Sequence, residues 1–138
     1  MGFAAGQVRE AAARFLGVEL AEIVDTYDRA WREADAAKRR RLLEPSLTDD
    51  AELISPQGRW AGREAIAEWI DGFAERMPGA SVNVTSGVDA HNGFARYAWA
   101  ITGEDGSPIM DGLDVCELGE DGRLRRIVMF FGPIPSRS

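Results

Sequence analysis

Residues 81–131 decide the fold, and they read SVNVTSGVDAHNGFARYAWAITGEDGSPIMDGLDVCELGEDGRLRRIVMFF. Apolar and polar residues alternate through much of this stretch, which is the period of a β-strand. Glycine-containing turns interrupt the alternation, beginning with His91-Asn92-Gly93, a turn typical of a β-hairpin. The stretch therefore predicts a strand meander over Val82–Val88, Phe94–Ile101, Ile109–Leu118 and Leu124–Phe131.

The residues before this meander have helical spacing instead. One amphipathic stripe consists of Leu20, Ile23, Val24, Tyr27 and Trp31, and a second of Ile66, Trp69, Ile70, Phe73 and Met77. A short helix is predicted from Asp35 to Leu43, with Pro45 at its exit, followed by a strand over Ala51–Ser55. Helices before a strand meander predict an α+β fold, with helices packed on one face of a curved antiparallel sheet.

The chain divides into a short extension and one domain. Residues 3–16 are rich in alanine and predict a further helix, which Gly17 interrupts. We therefore assign residues 1–18 to an N-terminal helical extension and residues 19–138 to the domain.

Composition excludes several classes of function. A net charge of −7 argues against a nucleic-acid partner, and the basic run Lys38–Arg41 is expected on a solvated helix face. Cys116 and His91 are each the sole residue of their type, so neither a disulfide nor a Cys/His metal site is expected. No apolar stretch has the length of a membrane span, and the expected location is the cytoplasm.

Asp114 is the most informative residue, because its strand neighbours on the same face are largely apolar. Desolvation there raises the pKa of a carboxyl group, and a protonated carboxyl can donate a hydrogen bond. The alternative is a structural aspartate paired with Arg96 or Arg126. Tyr27 lies in the first apolar stripe and needs a partner for its hydroxyl, either Asp114 or the backbone.

The last strand is apolar on both faces. Ile127, Met129 and Phe131 share one face, while Val128 and Phe130 share the other. Both faces therefore need to be covered. If one meets the helices and a pocket, the other is expected to form a homodimer through the sheet.

Several motifs together resemble the SnoaL-like branch of the NTF2-like superfamily. They are Asp49-Asp50-Ala51-Glu52-Leu53, Gly62-Arg63-Glu64-Ala65-Ile66, and Asp121-Gly122-Arg123-Leu124 followed by Phe130-Phe131-Gly132. The resemblance covers residues 19–133. It implies an NTF2-like cone holding one apolar pocket, a homodimer, a small apolar ligand and no cofactor or metal.

Within this superfamily the chain is similar to the ketosteroid isomerases. That resemblance implies that Tyr27 and Asp114 hydrogen-bond a substrate oxygen as the catalytic pair, and it places the isomerase's general base at Ser55, where serine cannot accept a proton. The polyketide cyclases carry an acid/base aspartate near Met129–Gly132, where this chain has none. Epoxide hydrolases of the superfamily need two carboxylates and an arginine, of which Arg96 and Asp114 supply two.

Further side chains are expected to line the pocket and contact the substrate: Trp31, Ser55, Trp60, Phe73, Trp99, Ile127, Met129 and Phe131. Trp60 is a candidate for the mouth, whereas Ser55 either bonds a ligand oxygen or simply ends a strand. Three functions remain open: an isomerase or cyclase of an apolar carbonyl compound, a non-catalytic binding protein, and an epoxide hydrolase or epoxide-opening cyclase.

Overall fold

The computed structural model of the chain describes residues 20–138. Within that range the elements are α1 (Leu20–Arg32), α2 (Ala36–Ser46), β1 (Leu47–Ser55), β2 (Gly58–Ala61), α3 (Arg63–Arg76), β3 (Ser81–Val84), β4 (Asp89–His91), β5 (Phe94–Thr102), β6 (Pro108–Leu118) and β7 (Leu124–Phe131). This order confirms the predicted α+β class. The helical extension predicted for residues 1–18 lies outside the described residues.

The two predicted apolar stripes form the buried faces of α1 and α3. Buried side chains on α1 include Leu20, Val24, Tyr27 and Trp31, and those on α3 include Ile66, Ile70 and Phe73. α1 packs against α2 and β3, while α3 packs against β1. Among the described residues, no helix is long and apolar enough to cross a membrane.

Helix α2 begins as predicted but ends later. Asp35 caps it by accepting a hydrogen bond from the Lys38 amide at 2.8 Å. The helix continues to Ser46 and includes Pro45, which was expected to lie beyond its end. Two carbonyl groups of the last turn have donors: Ser46 Oγ donates to Leu42 O at 2.9 Å, and the Leu47 amide donates to Leu43 O.

The sheet is mixed rather than wholly antiparallel. Its strand order is β2-β1-β7-β6-β5-β3, with β4 also paired to β5. β1 runs parallel to β7, and every other pairing is antiparallel. The prediction of an antiparallel sheet was wrong at this one junction, because pairing between the first and last strands leaves no mark on local periodicity.

Two local strand predictions also need correction. The segment Gly58–Ala61 forms β2 against β1, in a region where no strand was predicted. The strand predicted over Val82–Val88 is split into β3 and β4. At the break, Ser86 Oγ accepts the Ala98 amide at 2.8 Å, so a side chain takes the place of a backbone partner.

The inner face of the sheet is buried and the outer face is not. Ala95, Tyr97, Asp114, Cys116 and Ile127 point toward the helices and are almost inaccessible. Residues that alternate with them, such as Leu113 and Val128, are only partly buried, and Phe130 is 54% exposed. The outer face therefore remains accessible in a single copy of the chain.

The basic run Lys38–Arg41 is only partly a solvated face. Arg39 is 1% exposed and forms an ion pair with Asp71 of α3. Its Nε donates to the carbonyl of Ala30 at 3.1 Å. A buried guanidinium needs such partners, and the prediction missed its burial because Asp71 lies far away in sequence.

Candidate functional site

A small cavity lies between α1 and the inner face of the sheet. It is lined by Tyr27, Asp28, Trp31, Val82, Val84, Tyr97, Trp99, Ile101, Asp114 and Met129. Its volume is about 30 Å³, enough for one or two water molecules. A larger ligand requires the lining to move, and Met129 has the most adaptable side chain in the wall.

Three buried polar atoms of this lining have no hydrogen-bond partner within residues 20–138: Tyr27 Oη, Trp99 Nε1 and Asp114 Oδ1. Buried polar groups are nearly always paired, because an unmet group costs about 1–3 kcal/mol. These three side chains line one cavity and reach it from α1, β5 and β6. A polar atom bound inside the cavity would satisfy them.

Asp114 is an acid that holds its proton unusually well. Burial raises the pKa of its carboxyl to about 7, and repulsion from Asp28 adds to the rise. Hydrogen bonding by the nearby Tyr97 and Trp99 opposes the rise, although Asp114 Oδ1 and Trp99 Nε1 have no partner of normal geometry. Near neutral pH, much of Asp114 is therefore protonated and able to donate.

The sheet register fixes Asp114 and Trp99 on the same face. Asp114 lies opposite Tyr97 of β5 and Met129 of β7. One step along, Gly112 lies opposite Trp99, and any Cβ at this glycine would collide with the Trp99 ring and the Phe130 carbonyl. Glycine at this position leaves the space that the indole occupies.

Asp28 is a second carboxylate in the cavity lining, and the sequence analysis missed it. Its Oδ2 accepts hydrogen bonds from Arg32 Nη1 at 2.7 Å and from the Val84 amide at 3.2 Å. Arg32 Nη1 also donates to Val82 O at 2.8 Å, which ties α1 to β3. The available signal was the spacing of Asp28 and Arg32, four residues apart on the helix beside Tyr27.

Tyr97 also lines the cavity, and the sequence analysis did not predict it. The Cys116 thiol donates to its hydroxyl at 3.8 Å. Burial raises the pKa of both Tyr97 and Cys116 well above their ordinary values, and the neighbouring Asp114 adds to each rise. Both groups are therefore neutral at physiological pH.

Comparison with known proteins identifies the family. The profile described as the SnoaL-like domain matches residues 23–127, which is most of the chain. The chain belongs to the SnoaL-like family. A comparison with curated proteins finds no match.

Solved structures of other proteins share the fold. A candidate SnoaL-like isomerase from Agrobacterium tumefaciens is 28% identical, with a TM-score of 0.76 over 81% of this chain and 96% of that chain. A candidate polyketide cyclase from Sinorhizobium meliloti is 19% identical, with a TM-score of 0.63 over 79% of this chain and 94% of that chain. These matches confirm the resemblance and the NTF2-like fold inferred from the motifs.

Some of the residues predicted to line the pocket do line the cavity. Trp31, Trp99 and Met129 are in its wall together with Tyr27 and Asp114. Phe73 lies behind Trp31, with 5.4 Å between their ring centroids, and Phe131 lies behind Trp99 at 5.8 Å. These two phenylalanines support the wall rather than form it.

Three predicted contacts are absent from the lining. Ser55 belongs to the turn after β1, where its Oγ accepts the Gln57 amide at 3.1 Å. Trp60 stacks on Trp69 instead of closing a mouth over the cavity, with 4.0 Å between ring centroids. Ile127 is fully buried in the core beside Leu53.

Asp114 and Tyr27 have none of their expected hydrogen-bond or ion-pair partners among residues 20–138. Arg96 pairs with Asp89, and Arg126 pairs with Glu52 and Glu117, so neither arginine neutralises Asp114. Tyr27 Oη bonds neither to Asp114 nor to the described backbone. Within residues 20–138, no cluster of three or more His, Cys, Asp or Glu side chains could hold a metal ion.

Replacing Asp114 with Asn tests its protonation state through stability. The folded protein keeps this proton up to about pH 7, whereas the ordinary pKa of Asp is 3.8. Between these values the folded state binds more protons, so wild-type stability falls as pH rises. Asn stays neutral throughout. As the pH rises from about 5 to about 8, we expect the free energy of unfolding of Asp114→Asn to increase relative to that of wild type, by at most about 3 kcal/mol.

Urea unfolding at the two pH values measures this difference. Asp111→Asn is the matched control, because Asp111 lies on the same strand but is exposed. Equal pH dependence for wild type and Asp114→Asn would show that Asp114 is ionised in the fold.

Proposed function

We propose that this SnoaL-like protein binds a small, largely apolar carbonyl compound and promotes its enolisation, leading to isomerisation or cyclisation without a cofactor. The observation that carries the proposal is the convergence of Tyr27 Oη, Trp99 Nε1 and Asp114 Oδ1 on one apolar cavity, each without a partner among residues 20–138. A carbonyl oxygen is an acceptor that all three can share.

The chemistry follows from what these groups can donate. An indole N–H only donates, a tyrosine hydroxyl donates readily, and a protonated carboxyl donates one strong hydrogen bond. Negative charge develops on a carbonyl oxygen during enolisation, and fixed donors in a dry site stabilise that charge. Removing one such donor from an enzyme costs a factor of roughly 10²–10³ in rate.

The remaining wall indicates the substrate class. Val82, Val84, Ile101 and Met129 contribute apolar surface. None of the described lining residues is an arginine or lysine, so the lining favours a neutral compound over an anionic one. The description of the Agrobacterium neighbour as a candidate isomerase agrees with proton transfer next to a carbonyl group.

Two other functions each have an observation in their favour. Ser55 stands where the ketosteroid isomerases carry their base and does not line the cavity, which favours a non-catalytic binding protein. Asp28 gives the cavity a second carboxylate, paired with Arg32, which favours an epoxide hydrolase. Against the latter, Arg32 does not line the cavity and does not bond Asp114.

Binding of 2-naphthol tests the donor set, because this phenol resembles the enol of 2-tetralone. We expect Tyr27→Phe and Trp99→Phe each to weaken binding by about 3- to 10-fold, the value of one hydrogen bond. Naphthol fluorescence, excited at wavelengths that tryptophan does not absorb, gives the affinity. Trp60→Phe is the control, since this indole stacks on Trp69 outside the cavity and should leave binding unchanged. Equal affinities for all variants would contradict the proposed site.

We also propose that two copies associate through the outer face of the sheet. This face carries Ile54, Leu113, Val115, Val128 and Phe130 at its centre, with polar groups such as Glu52, Arg126 and Glu117 at one end. Phe130 is 54% exposed in a single copy, and exposed apolar patches of this kind mark interfaces.

With a single cysteine and no disulfide to maintain, we place the protein in the cytoplasm.

Replacing Phe130 with Arg tests this interface. A charge at the centre of the apolar patch is left without a partner when the patch is buried, so we expect Phe130→Arg to be monomeric where wild type is dimeric. Sedimentation velocity measures the change. Ile134→Arg is the control, because Ile134 is 93% exposed and lies beyond β7. A dimer that persists in Phe130→Arg would rule out this face.

A further inference from the structure

We propose that Asp28 is the general base of this site and accepts the proton that Ser55 cannot accept. The inference rests on the proposed enolisation, and it adds the residue that removes the proton from carbon. The geometry points to Asp28 because it is the second carboxylate lining the cavity that Asp114 also lines.

One carboxylate oxygen of Asp28 accepts hydrogen bonds, and the other can accept a proton. Both of its hydrogen bonds, from Arg32 Nη1 and from the Val84 amide, reach Oδ2. In the described part of the chain, no hydrogen bond reaches Oδ1. The residue is 8% exposed, so its position is fixed by these bonds and by packing. A fixed carboxylate with a free oxygen is what proton abstraction requires.

The two carboxyl groups have opposite surroundings. Asp28 forms an ion pair with the guanidinium of Arg32 at 2.7 Å, whereas Asp114 forms none with any of residues 20–138. Enzymes often assign the base to the carboxyl in a polar environment and the acid to the carboxyl in an apolar one. By this criterion Asp28 accepts a proton and Asp114 donates a hydrogen bond.

The two carboxyl groups reach the cavity from different elements, so a substrate that displaces the adaptable lining can lie between them. The bond to Val84 holds Asp28 over β3, whereas Asp114 projects from β6, and β5 lies between these strands. No hydrogen bond joins the two carboxyl groups in the described residues. A carbonyl oxygen can therefore face Asp114, Tyr27 and Trp99 while its α-carbon faces Asp28.

The step balances without any further reactant. Asp28 Oδ1 takes a proton from the carbon next to the carbonyl, and the electrons of that C–H bond form a C=C double bond. The C=O π electrons move to the oxygen, where hydrogen bonds from Asp114, Tyr27 and Trp99 stabilise them. Asp28 then returns the proton to the same carbon or to another carbon of the conjugated system.

The other titratable groups of the wall are poor bases. Burial raises the pKa of Tyr27 and of Tyr97 well above the ordinary value, so both remain neutral. Among the described residues of the wall, Asp114 is the remaining competitor, and it would serve as a base only after losing its proton. The pH profile separates the two assignments, because ionisation of Asp114 lowers the exchange rate if Asp114 is a donor and raises it if Asp114 is the base. The described titratable groups that face Asp114 are Tyr27 and Asp28 from α1, Tyr97 from β5 and Cys116 from β6.

Hydrogen–deuterium exchange at the α-carbons of 2-tetralone, followed by NMR in D₂O, measures the proton abstraction directly. We expect Asp28→Asn to lower the enzyme-catalysed exchange rate by about 100-fold or more, the contribution of a positioned base. Its affinity for 2-naphthol should change by less than about 3-fold, because the donors are retained. Asp25→Asn, an exposed position on the same helix, should match wild type.

The pH profile of the wild type and the variant Asp28→Glu supply independent measurements if Asp28→Asn folds poorly. With Asp28 as the base, wild-type exchange falls as Asp114 ionises above about pH 7. With Asp114 as the base, exchange rises through the same range and overturns the inference. Asp28→Glu should keep part of the activity, and equally low exchange in Asp28→Glu and Asp28→Asn would count against a base at this position.

The remaining outcomes are distinct. Undiminished exchange in Asp28→Asn overturns the inference and leaves the proposed function standing. Equal losses of 2-naphthol binding and of exchange in Asp28→Asn also overturn it, because they show a structural role. A wild type that binds 2-naphthol without exchanging 2-tetralone contradicts the inference and favours a binding protein. A wild type that does neither contradicts the proposed function itself.

Discussion

A carboxyl group buried on an apolar face is the constraint on which this site depends. Asp114 is 4% exposed on the inner face of β6, and no arginine or lysine among residues 20–138 pairs with it. Burying an ionised carboxylate in this way is costly, so the group holds its proton up to about pH 7. The same desolvation that costs stability makes Asp114 a hydrogen-bond donor. Stability and the proposed function are therefore opposed at this residue.

The elements around Asp114 show how the fold maintains this arrangement. Gly112 gives the Trp99 indole its space, and Phe131 packs edge-on against that indole. On the opposite side, Arg32 ties α1 to β3 through Asp28 and the Val82 carbonyl. The donors thus come from α1 and two neighbouring strands, and the ion pair that fixes α1 also positions the proposed base. Rigid elements on both sides favour a pre-organised site.

Residue spacing in the sequence predicted those features of the structure that depend on neighbouring residues. The stripes of α1 and α3, the hairpin turns and the inward orientation of Asp114 all follow from spacing. The parallel pairing of β1 with β7, the burial of Arg39 against Asp71 and the approach of Asp28 to Val84 depend on contacts between distant residues. Motif resemblance predicted Tyr27 and Asp114 as a catalytic pair, but it directed attention to Ser55 rather than to Asp28, which belongs to no motif of the family considered above.

The vibrational frequency of a bound carbonyl group tests the central claim most directly. Infrared difference spectra of 2-tetralone labelled with ¹³C at its carbonyl would be recorded with the protein below and above pH 7. Hydrogen bonds from Asp114, Tyr27 and Trp99 weaken the C=O bond, so the account expects a frequency below that in water at the lower pH. It expects a smaller displacement at the higher pH, where Asp114 is ionised. A bound carbonyl that absorbs at its frequency in a hydrocarbon solvent, at both pH values, would contradict the account.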